Sequence, residues 1–352
     1  MFGNYRTKPY VILCYEALFR SLKEKYRTNE TLYADFNRYY AGFRGEKEVD
    51  YKLALYPHKD FIILHDIRLK IFNNYFQIDT LILTKKFICI LEIKNISGEL
   101  EYDPVLHQLI QKKGENEKGY KDPILQAKAQ KENLKTWFQK LNINVPIETL
   151  AIISNPATIV RIKDGDTMIY NKLIHTESLH EQLDRLNEKY KEDVLNKSTL
   201  KKISNAILME NDPYKPNLLK TYNVYKRHLI IGIPCYNCQH SPMNRSLKKW
   251  FCPKCSTVDY KAHERKILDY FLLYKDTITN NECRNLLQTT SPKTAYTILS
   301  SMNLKYSGKN SGRKYHAPFL RDFPQDANFL NKNRSILDFN DAIGQLGSKG
   351  LL

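Results

Sequence analysis

Nowhere does the sequence carry an apolar run of the roughly 18 to 20 residues that a membrane span needs. Its richest candidate, "FIILHDIRL" from Phe61, is interrupted by His65, Asp66 and Arg68. The N-terminal segment "MFGNYRTKPYVILCYEALFR" has an apolar patch but no cleavage site of secretory type, and no lipidation motif or basic amphipathic anchor is evident. A cytoplasmic location is therefore expected. Internal repeats and low-complexity tracts are also missing. Acidic residues are scarce beside basic ones, 38 Asp and Glu against 55 Lys and Arg, for a net charge of +17. That imbalance points to an anionic partner, nucleic acid ahead of a membrane surface. Only seven cysteines occur. Four of them fall in a metal-type pattern and Cys14, Cys89 and Cys283 are scattered as ordinary buried thiols, so a disulfide framework is not expected.

At 352 residues the chain exceeds what one hydrophobic core usually spans, and two or three domains are expected. Residues from about 10 to 55 read as helical, with Phe43, Glu46, Asp50 and Leu53 on one stripe. Strand patterns follow at "FIILHDIRL", "YFQIDTLILT" and "FICILEIK", then a helix at "KDPILQAKAQKENLKTWFQKL", then a strand at "ETLAIIS". Asp122 suits the helix N-cap and Pro123 its first position, with Leu134, Phe138 and Leu141 as its apolar stripe. Helix, three strands, helix, strand implies an α/β unit around a mixed sheet. A polar helical stretch from about Leu173 to Met209 and the "NDPYKPN" linker come next.

The strand "FICILEIK" reads as buried on both faces, yet it carries Glu92 and Lys94. Charge on a buried strand is expensive unless it is paired or binds a metal. One strand upstream, Asp79 is a second carboxylate in an apolar run, sharing a side with Gln77, Leu81 and Leu83. The "TKK" at Thr84 to Lys86 can turn the two strands back on each other, and antiparallel pairing then brings Asp79 beside Glu92, with Lys94 two residues beyond. Two carboxylates, with the Ile93 carbonyl as a further oxygen donor, suit Mg²⁺, which lowers the pKa of a bound water and neutralises charge on a phosphate. Lys94 would orient that water or stabilise the developing charge.

"GE" at Gly45 and Glu46, "QID" at Gln77 to Asp79, "LEIKN" at Leu91 to Asn95 and "DPILQ" at Asp122 to Gln126 together resemble the nuclease-related domain, NERD, of the PD-(D/E)xK nuclease superfamily. The resemblance covers roughly residues 40 to 160. It implies a restriction-endonuclease-like mixed sheet flanked by helices. It further implies a helical acid at Glu46, metal-binding carboxylates at Asp79 and Glu92, a catalytic lysine at Lys94 and an accompanying glutamine at Gln126. Ile78, where the superfamily's name expects proline, is the one departure.

A second, independent pattern is "CYNCQHSPMNRSLKKWFCPKC", which spaces Cys235, Cys238, Cys252 and Cys255 as C-x2-C-x13-C-x2-C. Each C-x-x-C pair can bend to aim two thiolates at one structural Zn²⁺. Arg245, Lys248, Lys249 and Trp250 on the intervening ribbon suit phosphate contact and base stacking.

Beyond it, residues 264 to 274, Asn280 to Leu287 and Ser291 to Met302 read as three helices, and "NLKYSGKNSGRKYH" as a β-wing, an order that resembles a winged helix-turn-helix. Lys293, Thr294 and Thr297 of its third helix would face a major groove, with Lys309, Arg313 and Lys314 touching phosphates. The expected domains are thus a helical extension at 1–39, the nuclease-like domain with a helical tail at 40–215, a zinc ribbon at 230–258, the winged segment at 260–320 and a tail at 321–352. The function expected is a Mg²⁺- or Mn²⁺-dependent nuclease acting on double-stranded DNA. Its alternative is a catalytically inactive DNA-binding regulator using the same modules, with the winged segment also open to a protein partner.

Overall fold

Three strands with the same chain reversal that "TKK" suggested begin the central sheet. The computed structural model describes residues 3–57, 60–163, 168–246 and 248–325, so the tail expected at 321–352 lies almost wholly outside the described residues. Its elements begin with α1 (Tyr10–Ser21), α2 (Glu30–Leu55), β1 (Ile62–Ile71), β2 (Asn74–Leu83) and β3 (Ile88–Lys94). Then come β4 (Glu99–Asp103), β5 (Gln108–Lys113), β6 (Asn116–Lys121), α3 (Pro123–Gln139), β7 (Ile147–Ile153), β8 (Ile159–Ile162), β9 (Leu173–His175), α4 (Leu179–Lys189) and α5 (Lys197–Glu210). The remainder comprises α6 (Leu218–Thr221), β10 (Asn244–Ser246), β11 (Lys249–Phe251), β12 (Val258–Asp259), α7 (Ala262–Leu273), β13 (Thr277–Thr279), α8 (Asn280–Leu287), α9 (Pro292–Ser301), β14 (Tyr306–Ser307) and β15 (Lys314–His316). The chain divides into two units, one made of residues up to Arg6 with Arg38–Tyr214, the other of Thr7–Asn37 with the chain from Lys215 onward.

In the first unit a mixed sheet has the order β1-β2-β3-β7-β9, antiparallel through β3 and parallel from β3 to β9. Thr84 closes the turn between β2 and β3: its Oγ1 accepts the N–H groups of Lys86 and Phe87. Leu134, Trp137 and Phe138 of α3 and Leu200, Ile203 and Ile207 of α5 share a core with Leu81, Leu83, Ile88 and Ile90. Val49 and Leu53 of α2 and Leu179 and Leu183 of α4 share the other core, with Ile82, Cys89, Leu91 and Ile93. The sheet is therefore covered on both faces, which is why β3 reads as continuously apolar. α3 starts as expected, Asp122 accepting the N–H groups of Ile124 and Leu125. Leu141, however, falls past its end and is exposed, and Trp137 fills the stripe instead.

Four further differences emerge. The segment expected as one polar helical stretch contains β9, α4 and α5, and the helical run from 10 to 55 is broken between α1 and α2. Between β3 and α3 lie three strands that the hydrophobic pattern concealed, forming with β8 a second sheet of order β6-β5-β4-β8. β6 is "NEKGYK", almost wholly exposed, so no buried face announced it. Finally, Gln77 does not share a face with Leu81: Phe76 and Ile78 before Asp79, and Leu81 and Leu83 after it, all join one core. Opposite, Asp66 has φ of 51°, a left-handed conformation that aspartate tolerates, and the ladder skips the Asp66 and Asp79 positions. Both strands thus change face at the two aspartates.

In the second unit α1 packs on α7, joined by the buried Arg20–Asp269 ion pair at 2.7 Å and by the Cys14 thiol donating to the Leu272 carbonyl at 3.2 Å. β10, β11 and β12 form a small antiparallel sheet around the cysteines, and β13, β15 and β14 form another below α8 and α9. Thr279 caps α8 reciprocally with Glu282, and Ser291 caps α9 ahead of Pro292. Gly308 turns the β14–β15 hairpin at φ of 78°, where a Cβ would come within 2.5 Å of the Gly312 carbonyl oxygen.

Candidate active site

The ladder between β2 and β3 ends at the pair Thr80 and Leu91. One residue further, Asp79 replaces the missing backbone partner: its Oδ2 accepts the Ile93 N–H at 2.9 Å. That substitution turns the Asp79 carboxylate toward Glu92, which is only 1% exposed. Glu92 is held at both oxygens, Lys94 Nζ donating to Oε1 at 2.5 Å and Gln130 Nε2 donating to Oε2 at 2.5 Å. Lys94 Nζ also donates to Gln126 Oε1 at 3.1 Å. Gln126 and Gln130 are one helical turn apart on α3, so a single helix face delivers both amides to the strand.

Electrostatics follow from burial. Desolvation and then the Asp79 charge push the Glu92 carboxyl up to about 7, against the opposing pull of Lys94 and Gln130. Burial likewise raises Asp79, with the Ile93 N–H, Lys94 and Arg6 working the other way. Two carboxylates that resist ionisation beside one another form a donor set that a hard divalent cation would relieve.

Glu46 stands in different company. Its Oε2 accepts from Arg6 Nη1 at 2.7 Å, and it lies among Asp50 and Asp66 with Asp79 in electrostatic reach; burial, then Asp66, raises it well above the usual carboxylate range. Gly45 explains the "GE" pair. A Cβ there would come within 2.5 Å of Asn95 Cβ, and Asn95 Nδ2 donates to the Ala41 carbonyl at 2.7 Å. The glycine and the asparagine thus bring α2 against the end of β3. Sequence reasoning missed both Arg6 and Gln130. Helical spacing from Gln126 would have found Gln130, whereas no local pattern marks Arg6.

The model of the nuclease-related domain matches residues 41–154. Glu46, Asp79, Glu92, Lys94, Gln126 and Gln130 all fall within this nuclease-related domain, while Arg6 and Cys235, Cys238, Cys252 and Cys255 lie outside it. Among curated proteins, no sequence matches the chain. Among solved structures, protein VC1899 from Vibrio cholerae aligns with a TM-score of 0.23 and 11% identity, over 47% of this chain and 37% of that one.

The four cysteines converge outside the nuclease-related domain. Their sulfurs all lie within 4.8 Å of one another, with Cys235 to Cys255 at 3.6 Å and Cys238 to Cys252 at 3.4 Å. Four thiolates about 2.3 Å from a tetrahedral zinc would be separated by about 3.8 Å, so the set fits zinc. Each pair is built alike. Gln239 and Ser256, both at φ of 59°, return their N–H groups to the Cys235 and Cys252 carbonyls at 2.9 Å.

On the ribbon between them Lys248 is exposed and Lys249 half-buried. Trp250 is not a stacking surface. It is 1% exposed, its Nε1 donates to His263 Nδ1 at 3.1 Å, and Arg245 lies over its ring with Cζ 5.0 Å from the centroid. The β11 register turns Trp250 inward because its neighbours Lys249 and Phe251 take the other side. On α9, Lys293 and Thr297 are exposed and Thr294 is half-buried beside the Ser291 cap. Lys309 and Lys314 are exposed on the hairpin, whereas Arg313 rests against the rings of Tyr296 and Tyr306. Among the described residues no helix is long and apolar enough to cross a membrane.

Proposed function

We propose that this protein is a metal-dependent nuclease that hydrolyses DNA phosphodiester bonds, with its zinc ribbon and the winged-helix-like α7–β15 segment binding duplex DNA. The observation that carries the reading is the meeting of Asp79, Glu92 and Lys94 where β2 and β3 part. Asp79 and Glu92 would hold Mg²⁺ or Mn²⁺, which when bound supplies a water of lowered pKa and neutralises charge on the phosphate. The chain's own groups do the rest. Lys94, held by Glu92 and Gln126, has a third N–H to give to a phosphate oxygen or to the attacking water. Gln130 fixes the Glu92 carboxylate against the sheet. The exposed cations Lys248, Lys293, Lys309 and Lys314 support phosphate contacts that fix position rather than sequence.

The test is direct cleavage. Circular and linear duplex DNA, single-stranded DNA and RNA are incubated with the protein in Mg²⁺, Mn²⁺ or EDTA, beside Lys94→Ala and Asp79→Asn. Cleavage of duplex DNA that requires the metal and is lost in both variants is expected, with Asp79→Asn still binding duplex. Equal cleavage by Lys94→Ala would assign the activity elsewhere. Metal-independent DNA binding without cleavage would favour the regulator.

A further inference from the structure

Arg6 lies far outside the matched window in sequence, yet residues 3 to 6 are laid along β1. The Gly3 N–H donates to the Ile63 carbonyl at 2.8 Å, and Asn4 exchanges two hydrogen bonds with the His65 backbone, at 2.8 and 3.0 Å. This delivers a guanidinium, 2% exposed, into a ring of carboxylates. Nη1 lies 2.7 Å from Glu46 Oε2 and 3.2 Å from Asp66 Oδ1. Nε lies 2.6 Å from Asp50 Oδ2, and Nη2 donates to the Asp79 carbonyl at 3.0 Å and to Thr80 Oγ1 at 2.7 Å.

Two neighbouring acid groups result. Asp79 and Glu92 have Lys94 as their near cation, whereas Glu46, Asp50 and Asp66 surround Arg6. A pair of divalent ions in a phosphoryl-transfer site sits roughly 3.5 to 4 Å apart, and the second ion would need oxygens from this latter group. Those oxygens already receive charge-assisted hydrogen bonds from a side chain that cannot give up its proton, and whose planar fork suits carboxylates.

We infer that Arg6 is a built-in cation filling the place of a second metal ion, so that the nuclease site takes one divalent cation, at Asp79 and Glu92. Glu46 is then the counter-ion of Arg6, not a metal ligand, and Arg6 is a positioning residue that sets the Asp79 backbone through its carbonyl. This rests on the nuclease reading above.

The measurement is Mn²⁺ stoichiometry, by calorimetry and by electron paramagnetic resonance, on the full zinc-loaded chain. One Mn²⁺ per chain is expected in the wild type, lost in Asp79→Asn with Glu92→Gln and retained within about threefold in affinity by Glu46→Gln. Two Mn²⁺ ions in the wild type, the second weakened tenfold or more by Glu46→Gln, overturn the inference. Arg6→Gln should melt below the wild type before Mn²⁺ is added, bind a second Mn²⁺ and gain more melting temperature from it than the wild type does; Arg6→Lys should keep one ion. Arg6→Gln that melts like the wild type and keeps one ion also overturns it. Should Arg6→Gln not fold, the wild-type and Glu46→Gln titrations decide alone. Two ions with intact cleavage remove this inference only, whereas no bound Mn²⁺ together with no cleavage removes the nuclease reading as well.

Discussion

Gln130 reaches from α3 to the Glu92 carboxylate, its Nε2 2.5 Å from Oε2, with both residues buried. The amide offers Glu92 a partner without adding charge, so the carboxylate keeps one orientation while its ionised form is favoured by the donated N–H. A hydrogen bond to a charged buried group is worth about 1.5 to 3 kcal/mol. Gln130→Leu should therefore lower kcat by roughly 10- to 100-fold. Gln130→Glu, which sets a second carboxylate against Glu92, should lose more and should shift the pH profile upward. Turnover across pH with melting temperatures alongside would check this; unchanged kcat in Gln130→Leu would leave the amide a packing role.

The four-cysteine ribbon gives a prediction that does not depend on catalysis. Elemental analysis should find about one tightly held Zn²⁺ per chain, because four convergent thiolates make a closed structural site. Cys252→Ser should lower that content and release the ribbon locally, since three thiolates no longer complete the four-ligand site. Full zinc retention after all four cysteines are replaced would refute the assignment.

Much of the site was legible because its motifs are short. Glu92 and Lys94 are two residues apart on one strand, the turn at Thr84 returns Asp79 to them, and the cysteine spacing states its own geometry. What escaped was non-local or hidden by polarity. Arg6 meets its partners 40 to 74 residues away, so nothing near it in sequence marks it. The β5–β6 hairpin buries little more than Leu109 and Gln111, too few to betray a strand. Trp250 looked available because a tryptophan among lysines suggests a stacking surface, and only the pairing of β11 with β10 and β12 turns it inward.

His263 offers a pH test. Burial, reinforced by the positive charges of Arg245 and Lys261, lowers its pKa to about 4, and its Nδ1 accepts the Trp250 N–H, so the native ring is neutral with its proton on Nε2. Unfolded histidine titrates near 6.5. Between about 6.5 and 4 the unfolded chain binds a proton that the native state refuses, so this contribution to stability is complete above 6.5 and is lost as pH falls toward 4. Carbon-13-labelled histidine spectra should show two rings that stay neutral at pH 5, those of buried His65 and His263, and only one of them in His263→Asn. A ring at this position titrating near 6.5 would contradict the buried, neutral assignment.

Finally, the proposed grip on DNA can be separated from the proposed chemistry without truncation. Removing the chain from Asn217 onward would strip α7 from α1 and leave Asp269 unavailable to the buried Arg20, so point substitutions are the better probe. Lys293, Lys309 and Lys314 are exposed on α9 and its following hairpin, and their replacement by alanine removes no buried contact. Each phosphate neutralised by a lysine contributes about 0.9 to the slope of log affinity against log salt. The triple variant should bind duplex DNA more weakly and lose about 2 to 3 units of that slope, while Asp79→Asn should leave the slope unchanged. Anisotropy titrations across a salt series would decide. An unchanged slope in the triple variant would move the DNA contact away from α9 and its hairpin, and would make a protein partner the better reading for that surface.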